Sequence, residues 1–142
     1  MAPNLSPIFV LSPNVGFARV SAANTASDGS GSLSTLFTAA ANGSLLSRIR
    51  YGNSQASAAL SSAMVIRFFL TDLAGANPRF LGFLETAVPA ATRSVSVIGA
   101  QGILTLPSGG LFIASGALLK VIQSVYAGVQ DQMDYIAEGG DY

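Results

Sequence analysis

The sequence predicts an all-β protein: an antiparallel β-sandwich of jelly-roll type, preceded by an extended N-terminal arm. Two observations carry that expectation. Apolar and polar residues alternate with a period of two rather than 3.6 along most of the chain. Clusters of Gly, Pro, Asn, Asp and Ser punctuate it at roughly ten-residue spacing, the rhythm of short strands joined by turns. With 142 residues and no cysteine, the chain has the length of one domain and no disulfide staple. The expected organisation is an arm over residues 1–15 and a single sandwich over residues 16–142.

The arm contains Ile8-Phe9-Val10-Leu11 between Pro7 and Pro13. Proline disfavours both a regular helix and a central strand, so an extended apolar segment is expected. It needs a dry surface, either on its own domain or on a neighbouring subunit. Strand candidates then follow at Gly16–Ala23, Leu33–Ala39, Ser44–Tyr51, Met64–Thr71, Phe80–Val88, Ser94–Gly99, Gly110–Ala114, Leu118–Val125 and Met133–Ala137. Turn chemistry separates them at Ser27–Gly31, Asn42-Gly43, Gly52–Ser54, Ala74–Pro78 and Leu106–Gly110. Asn42-Gly43 suits a type I′ turn, which predicts a hairpin between Leu33–Ala39 and Ser44–Tyr51. The Ala/Ser-rich stretch Asn53–Met64 fits either a short helix or loops flanking a strand.

Period two sets Arg48 and Arg50 on one face of their strand and Leu45, Ile49 and Tyr51 on the other. Arg67 similarly opposes Met64, Ile66 and Phe68. Such arginines either form the wet side of a sheet or grip carboxylates of a partner by bidentate hydrogen bonds.

Composition excludes much chemistry. The chain has no Cys and no His, which removes thiolate nucleophiles, imidazole bases and Cys/His zinc sites. Its net charge is zero and Lys120 is its one lysine, a poor basis for holding nucleic acid. Ser115 and Lys120 sit five apart, on opposite faces of a strand, so they do not form a nucleophile and base. Asp131, Asp134, Glu138 and Asp141 lack the spacing of a calcium loop, and a carboxylate cluster of this kind reads as a solvated or partner-facing edge. The glycine pairs do not lead into a helix as a phosphate cradle would. No cofactor is expected. The uncharged stretch Ser94–Leu119 is long enough to span a bilayer, but Pro107 and its glycines break any helix there. No membrane partner is expected.

What remains is an unusual surface. Half of the residues are hydrophobic and only 10% are charged, with a mean hydropathy of +0.51. Exposed positions must therefore include many apolar side chains, which favours permanent burial against other subunits.

The segment D-G-S-G-S-L-S-T-L-F-T-A-A-A-N-G-S-L-L-S-R-I-R, Asp28 to Arg50, resembles small structural proteins of tailed-phage and prophage virion gene clusters. These share a D-G-[ST]-G-x3-T-L-[FY]-T-A-[GA]-x-N-G-S segment followed by R-I and then an apolar R-x-F-[IL] strand. The corresponding strand here is Val65–Asp72, and the terminal G-G-D-[FY] tetrad is matched by Gly139–Tyr142. The resemblance spans Thr25–Asp72 and the last four residues; it is weaker over Leu73–Glu138 and absent from the first fifteen. It implies a non-enzymatic virion component, a capsid cement or decoration protein with a jelly-roll-like fold. Such proteins bind the major capsid protein on the capsid surface as dimers or trimers. A neck or tail component is the alternative within the same resemblance. A β-sandwich carbohydrate-binding module is the alternative from another class, although Trp is absent and Tyr51, Tyr126, Tyr135 and Tyr142 do not cluster in the sequence. The expected interface residues are Ile8, Phe9 and Leu11 in the arm, Arg48, Arg50 and Arg67 on the sheet, and Asp141 and Tyr142 at the acidic end.

Overall fold

A computed structural model describes residues 12–53, 63–86, 101–104, 106–127 and 132–142. These residues form strands β1 (Ser12–Val20), β2 (Ser34–Thr38), β3 (Ser44–Asn53), β4 (Met64–Thr71), β5 (Arg79–Thr86), β6 (Gln101–Leu104), β7 (Leu111–Ile113), β8 (Leu118–Gln123) and β9 (Met133–Asp141). The first sheet has the order β1-β9-β3-β6, with β7 beside β6 along the same edge of β3; the second has the order β2-β8-β4-β5. Every pairing is antiparallel. The two sheets pack face to face, so the molecule is a β-sandwich.

Alternation builds the core. Met64, Ile66 and Phe68 of β4 point inward from the second sheet, and Met133, Tyr135 and Ala137 of β9 point inward from the first; all six are buried. The Phe68 ring meets Tyr135 edge-on at 6.3 Å and 84°, a favoured aromatic geometry that ties the sheets together. Burial pushes the Tyr135 phenol's pKa upward, so it stays neutral and donates to Gln123 Oε1 at 3.3 Å.

Three register shifts interrupt the pairing among the described strands, one of them between Phe68 and Phe69 where β4 meets β5. In β2 the register shifts between Thr35 and Phe37, and the consecutive Leu36 and Phe37 are both buried. In β3 a shift between Leu46 and Arg48 reverses the phase, so Leu46 joins Ile49 in the core. Leu45 is thereby moved to the face of Arg48 and Arg50, opposite to the uninterrupted alternation expected from the sequence.

The expected hairpin at Asn42-Gly43 is not formed: β2 and β3 belong to different sheets. Asn77 is the non-glycine residue with positive φ among the described residues, so Asn42 lacks type I′ geometry, while Gly43 has φ +89°. The link is a corner, closed by Gly43 N–H donating to Ala40 O at 2.9 Å. It docks on the β7–β8 connection, with Ala39 N–H donating to Ala117 O and Gly116 N–H to Ala40 O. The hairpin that does form joins β4 and β5. Asp72 organises it by accepting from Ala76 N–H at 2.8 Å and Asn77 Nδ2 at 2.9 Å.

Strand β1 includes Ser12–Val15 ahead of the strand candidate at Gly16, because Pro13 fits an edge strand opposite Gly140. Residues 1–11, which hold Ile8, Phe9 and Leu11, lie outside the described residues, as do Ser94–Gly99 and 54–62. The turn at Pro107–Gly110 interrupts one edge rather than joining two paired strands: β6 lies along Ile49–Gly52 and β7 along Ser44–Leu46. Among the described residues no helix is long and apolar enough to cross a membrane.

The Asp28-Gly29-Ser30-Gly31 segment covers part of the second sheet's outer face. Asn24 Nδ2 donates to Ser30 O and Ser32 O, and Asp28 accepts from Ser30 N–H at 2.9 Å. Gly29, at φ +79°, lies against Pro78 and Phe69 so closely that a Cβ would clash with the proline ring. Phe69 is consequently buried although its side chain points away from the core.

Candidate functional site

Register assigns the side chains of the first sheet's outer face to four transverse rows. Asp134 on β9 pairs in register with Arg19 on one side and Gly52 on the other. The next row holds Phe17, Ile136, Arg50 and Ile103. The third holds Val15, Glu138 and Arg48, and the last holds Pro13, Gly140, Leu45 and Phe112. Phe17, Ile103 and Phe112 are exposed at 68%, 58% and 57%, and Val15 is also exposed. Large apolar side chains thus dominate the second and fourth rows, with Arg50 the one charge among them, and the Arg19–Asp134 and Arg48–Glu138 rows alternate with these on a single pleated face.

The charges on this face are matched within the chain. Glu138 accepts from Arg48 Nε and from Arg50 Nη2, one carboxylate oxygen for each. Arg19 grips Asp134 with two bonds, Nε to Oδ1 at 2.6 Å and Nη2 to Oδ2 at 2.9 Å. The hydrogen bond from Arg48 is the main cause holding the Glu138 carboxyl below its ordinary pKa, and the bond to Asp134 raises the Arg19 guanidinium further. A shallow groove of about 410 Å³, lined by Phe17, Ala18, Arg19, Asp134, Tyr135 and Ile136, runs along the β1–β9 seam.

This arrangement changes the roles expected for the sequence-derived residues. Arg48 and Arg50 do lie together, but Glu138 occupies them, so they do not form a free grip for a partner's carboxylate. Arg67 projects from the outer face of the opposite sheet and does not share a surface with them. Asp141 is turned inward on its own chain: its Oδ1 accepts from Asn14 Nδ2 at 2.7 Å and from the Ser44 hydroxyl. Tyr142 donates its N–H to Gly43 O at 3.2 Å and sets its ring beside Phe112 at 5.9 Å. The acidic end is therefore a set of internal latches. Tyr135 is buried in the core, apart from Tyr142 on this face.

Phe17, Ile103, Phe112 and Ile136 are not singled out by the sequence, and Glu138 appears there only as part of the acidic end, without its two arginine partners. Val15, Phe17 and Arg19 do alternate with Gly16, Ala18 and Val20, so a period-two reading started at Ser12 would have found the first of them. Nothing local marks Ile103 or Phe112, whose rows are assembled from distant strands. No protein-family model, curated protein sequence or solved structure matches this chain.

Proposed function

We propose that this chain is a non-enzymatic structural protein of a tailed-phage virion: a capsid cement protein that binds the major capsid protein at the capsid surface and braces the shell. The observation that carries the reading is the outer face of the first sheet. Its large apolar side chains stand in rows, and its carboxylates Asp134 and Glu138 are already taken by arginines of the same chain. Such a face makes no electrostatic demand on what covers it and gains from losing water. A second copy of this chain is a suitable cover, since an isologous contact would bring together only apolar groups and charges already matched within each chain. The likeness of Asp28–Arg50 to virion structural proteins supplies the setting. The strand order supports the jelly-roll reading: with β6 and β7 taken as two segments of one strand along β3, the sheets follow a doubled Greek key.

The test has two parts. Sedimentation should give a dimer or trimer for the unmodified chain, and Phe17→Ser with Ile103→Ser should shift it to monomer with its strand content unchanged. Shells of the major capsid protein assembled with the chain should rupture at higher temperature than shells without it. Equal rupture temperatures would overturn the bracing role. Mass spectrometry of purified particles separates head from tail, since a copy number in the hundreds fits a shell and a single ring's worth fits neck or tail.

A further inference from the structure

Exposed apolar side chains are concentrated on one surface of the molecule. Of the six large ones among the described residues, Val15, Phe17, Ile103 and Phe112 belong to the outer face of the first sheet, and two lie elsewhere. Such a concentration marks a contact surface rather than scattered exposure. Across this face the columns run β1, β9, β3 and then β6 with β7. The charges are unevenly placed on that map. Both carboxylates, Asp134 and Glu138, stand in the β9 column, while Arg48 and Arg50 stand in the β3 column. The two central columns therefore carry opposite signs.

Opposite signs at the centre decide how two copies can stack. Aligned sheets pack with their strand directions close together, so a two-fold axis between the faces runs across the strands or along them. An axis across the strands, between the second and third rows, lays each column on itself and sets Arg48 against Arg50 of the second copy. An axis along the strands over β9 or β3 repeats the conflict, carboxylate on carboxylate or arginine on arginine, and like charges so placed are costly. An axis along the strands midway between β9 and β3 removes it. This lays β9 on β3 and β1 on the β6–β7 edge, row on row, so that Glu138 faces Arg48 of the second copy and Phe17 faces Ile103. Shape agrees with charge: Gly140 then faces Leu45 and Gly52 faces Asp134, small against large. Four columns at about 4.8 Å and the length from Pro13 to Arg19 give about 400 Å² in projection on each copy. With side-chain relief the total is about 1,000 Å², enough for a specific interface.

We infer that the chain forms a two-fold dimer whose first sheets stack face to face about an axis along the strands, midway between β9 and β3, with Glu138 of each copy set against Arg48 of the other. This rests on the reading of that face as a permanent contact and names its partner and its geometry. The pairs within each chain survive docking: Glu138 keeps Arg48 and Arg50 and has acceptor capacity left for an arginine of the second copy.

The experiment uses the full-length chain without shells. Sedimentation over a concentration series should give a dimer for the unmodified protein. Glu138→Lys and Arg48→Glu should each dimerise about tenfold or more weakly alone. An equal mixture of the two should recover the dimer, because each variant then meets the opposite charge across the axis; a role confined to one chain gives no such recovery. A second pair of variants keeps the geometry testable where a charge variant fails to fold. The chain has no cysteine, so a single introduced one reports proximity. Phe17→Cys and Ile103→Cys should each stay uncrosslinked under mild oxidation, since about 14 Å, three strand spacings, separates like positions across the axis. Their mixture should yield a disulfide-linked dimer. A monomer or trimer for the unmodified chain would overturn the inference. So would crosslinking by either cysteine variant alone at the yield of the mixture, or no recovery on mixing two folded charge variants. Shell rupture is read separately. A chain that pairs in this way and leaves rupture unchanged would remove the cement reading and keep the dimer, while shells braced by a chain paired through another face would keep the cement reading alone.

Discussion

Glu138 does the work of two acceptors, and it is the residue on which the charged row of the first sheet turns. Its folded pKa lies below the ordinary Glu value because Arg48 and Arg50 hold the ionised form. A lowered folded pKa means that the unfolded chain binds the proton more readily. The contribution to stability is thus present above the ordinary Glu range and fades as pH falls through the lowered value. Glu138→Gln should flatten the acid side of the stability profile and leave two arginines without a counter-charge. Denaturation midpoints measured from neutral pH downward should converge for the two proteins in acid, and a constant gap at every pH would contradict this account. The effect at neutral pH should be small and reduced by salt, since the pair is solvated. The sequence displayed Arg48 and Arg50 as a pair through simple alternation. It did not display their partner, because the register that sets Glu138 opposite Arg48 depends on the bulge between Leu46 and Arg48.

At the scale of elements, local chemistry placed strands well and connections poorly. Met64–Thr71 is predicted and found with the same bounds, because alternation there is unbroken and turn residues follow directly. Asn42-Gly43 has equally strong turn chemistry, yet its use as a corner was set by Gly116 and Ala117, which receive the link from far along the chain. Edge strand β1 shows the same dependence on distant backbone. A Cβ at Gly16 would overlap the carbonyl oxygen of Leu36, so β1 and β2 close one side of the sandwich by backbone contact across the sheets. Asn14 Nδ2 reinforces that closure by donating to Thr38 O at 3.1 Å. Gly16→Ala should force the two edges apart and destabilise the fold by about 3 kcal/mol, the upper end for an overpacked site. Chemical denaturation checks it: a loss under about 0.5 kcal/mol, the range of neutral surface changes, would mean that the edges are free to separate.

For the molecule as a whole, β9 is the element on which the first sheet depends. It lies between β1 and β3, pairing along its length with both, and it supplies Met133, Tyr135 and Ala137 to the core. The same strand carries Asp134, Ile136 and Glu138 to the outer face, so stability and the proposed contact surface rest on one stretch of backbone. Its partner β1 begins at Ser12 opposite Asp141, which means that the pairing must join residues far apart along the chain. Loop closure on that scale precedes any reward from the contacts and makes folding slow, in the millisecond-to-second range typical of sandwiches. Removing residues 133–142 should therefore do more than trim an edge. It would leave β1 and β3 without a hydrogen-bonded neighbour between them and open the core beneath Phe68 to water. The shortened chain should show neither a cooperative thermal transition nor a protected set of slowly exchanging amides. The second sheet, β2-β8-β4-β5, loses its apolar cover in the same step and should not persist alone. A truncated chain that still melts cooperatively near the temperature of the intact protein would show that the second sheet, and not β9, organises the fold.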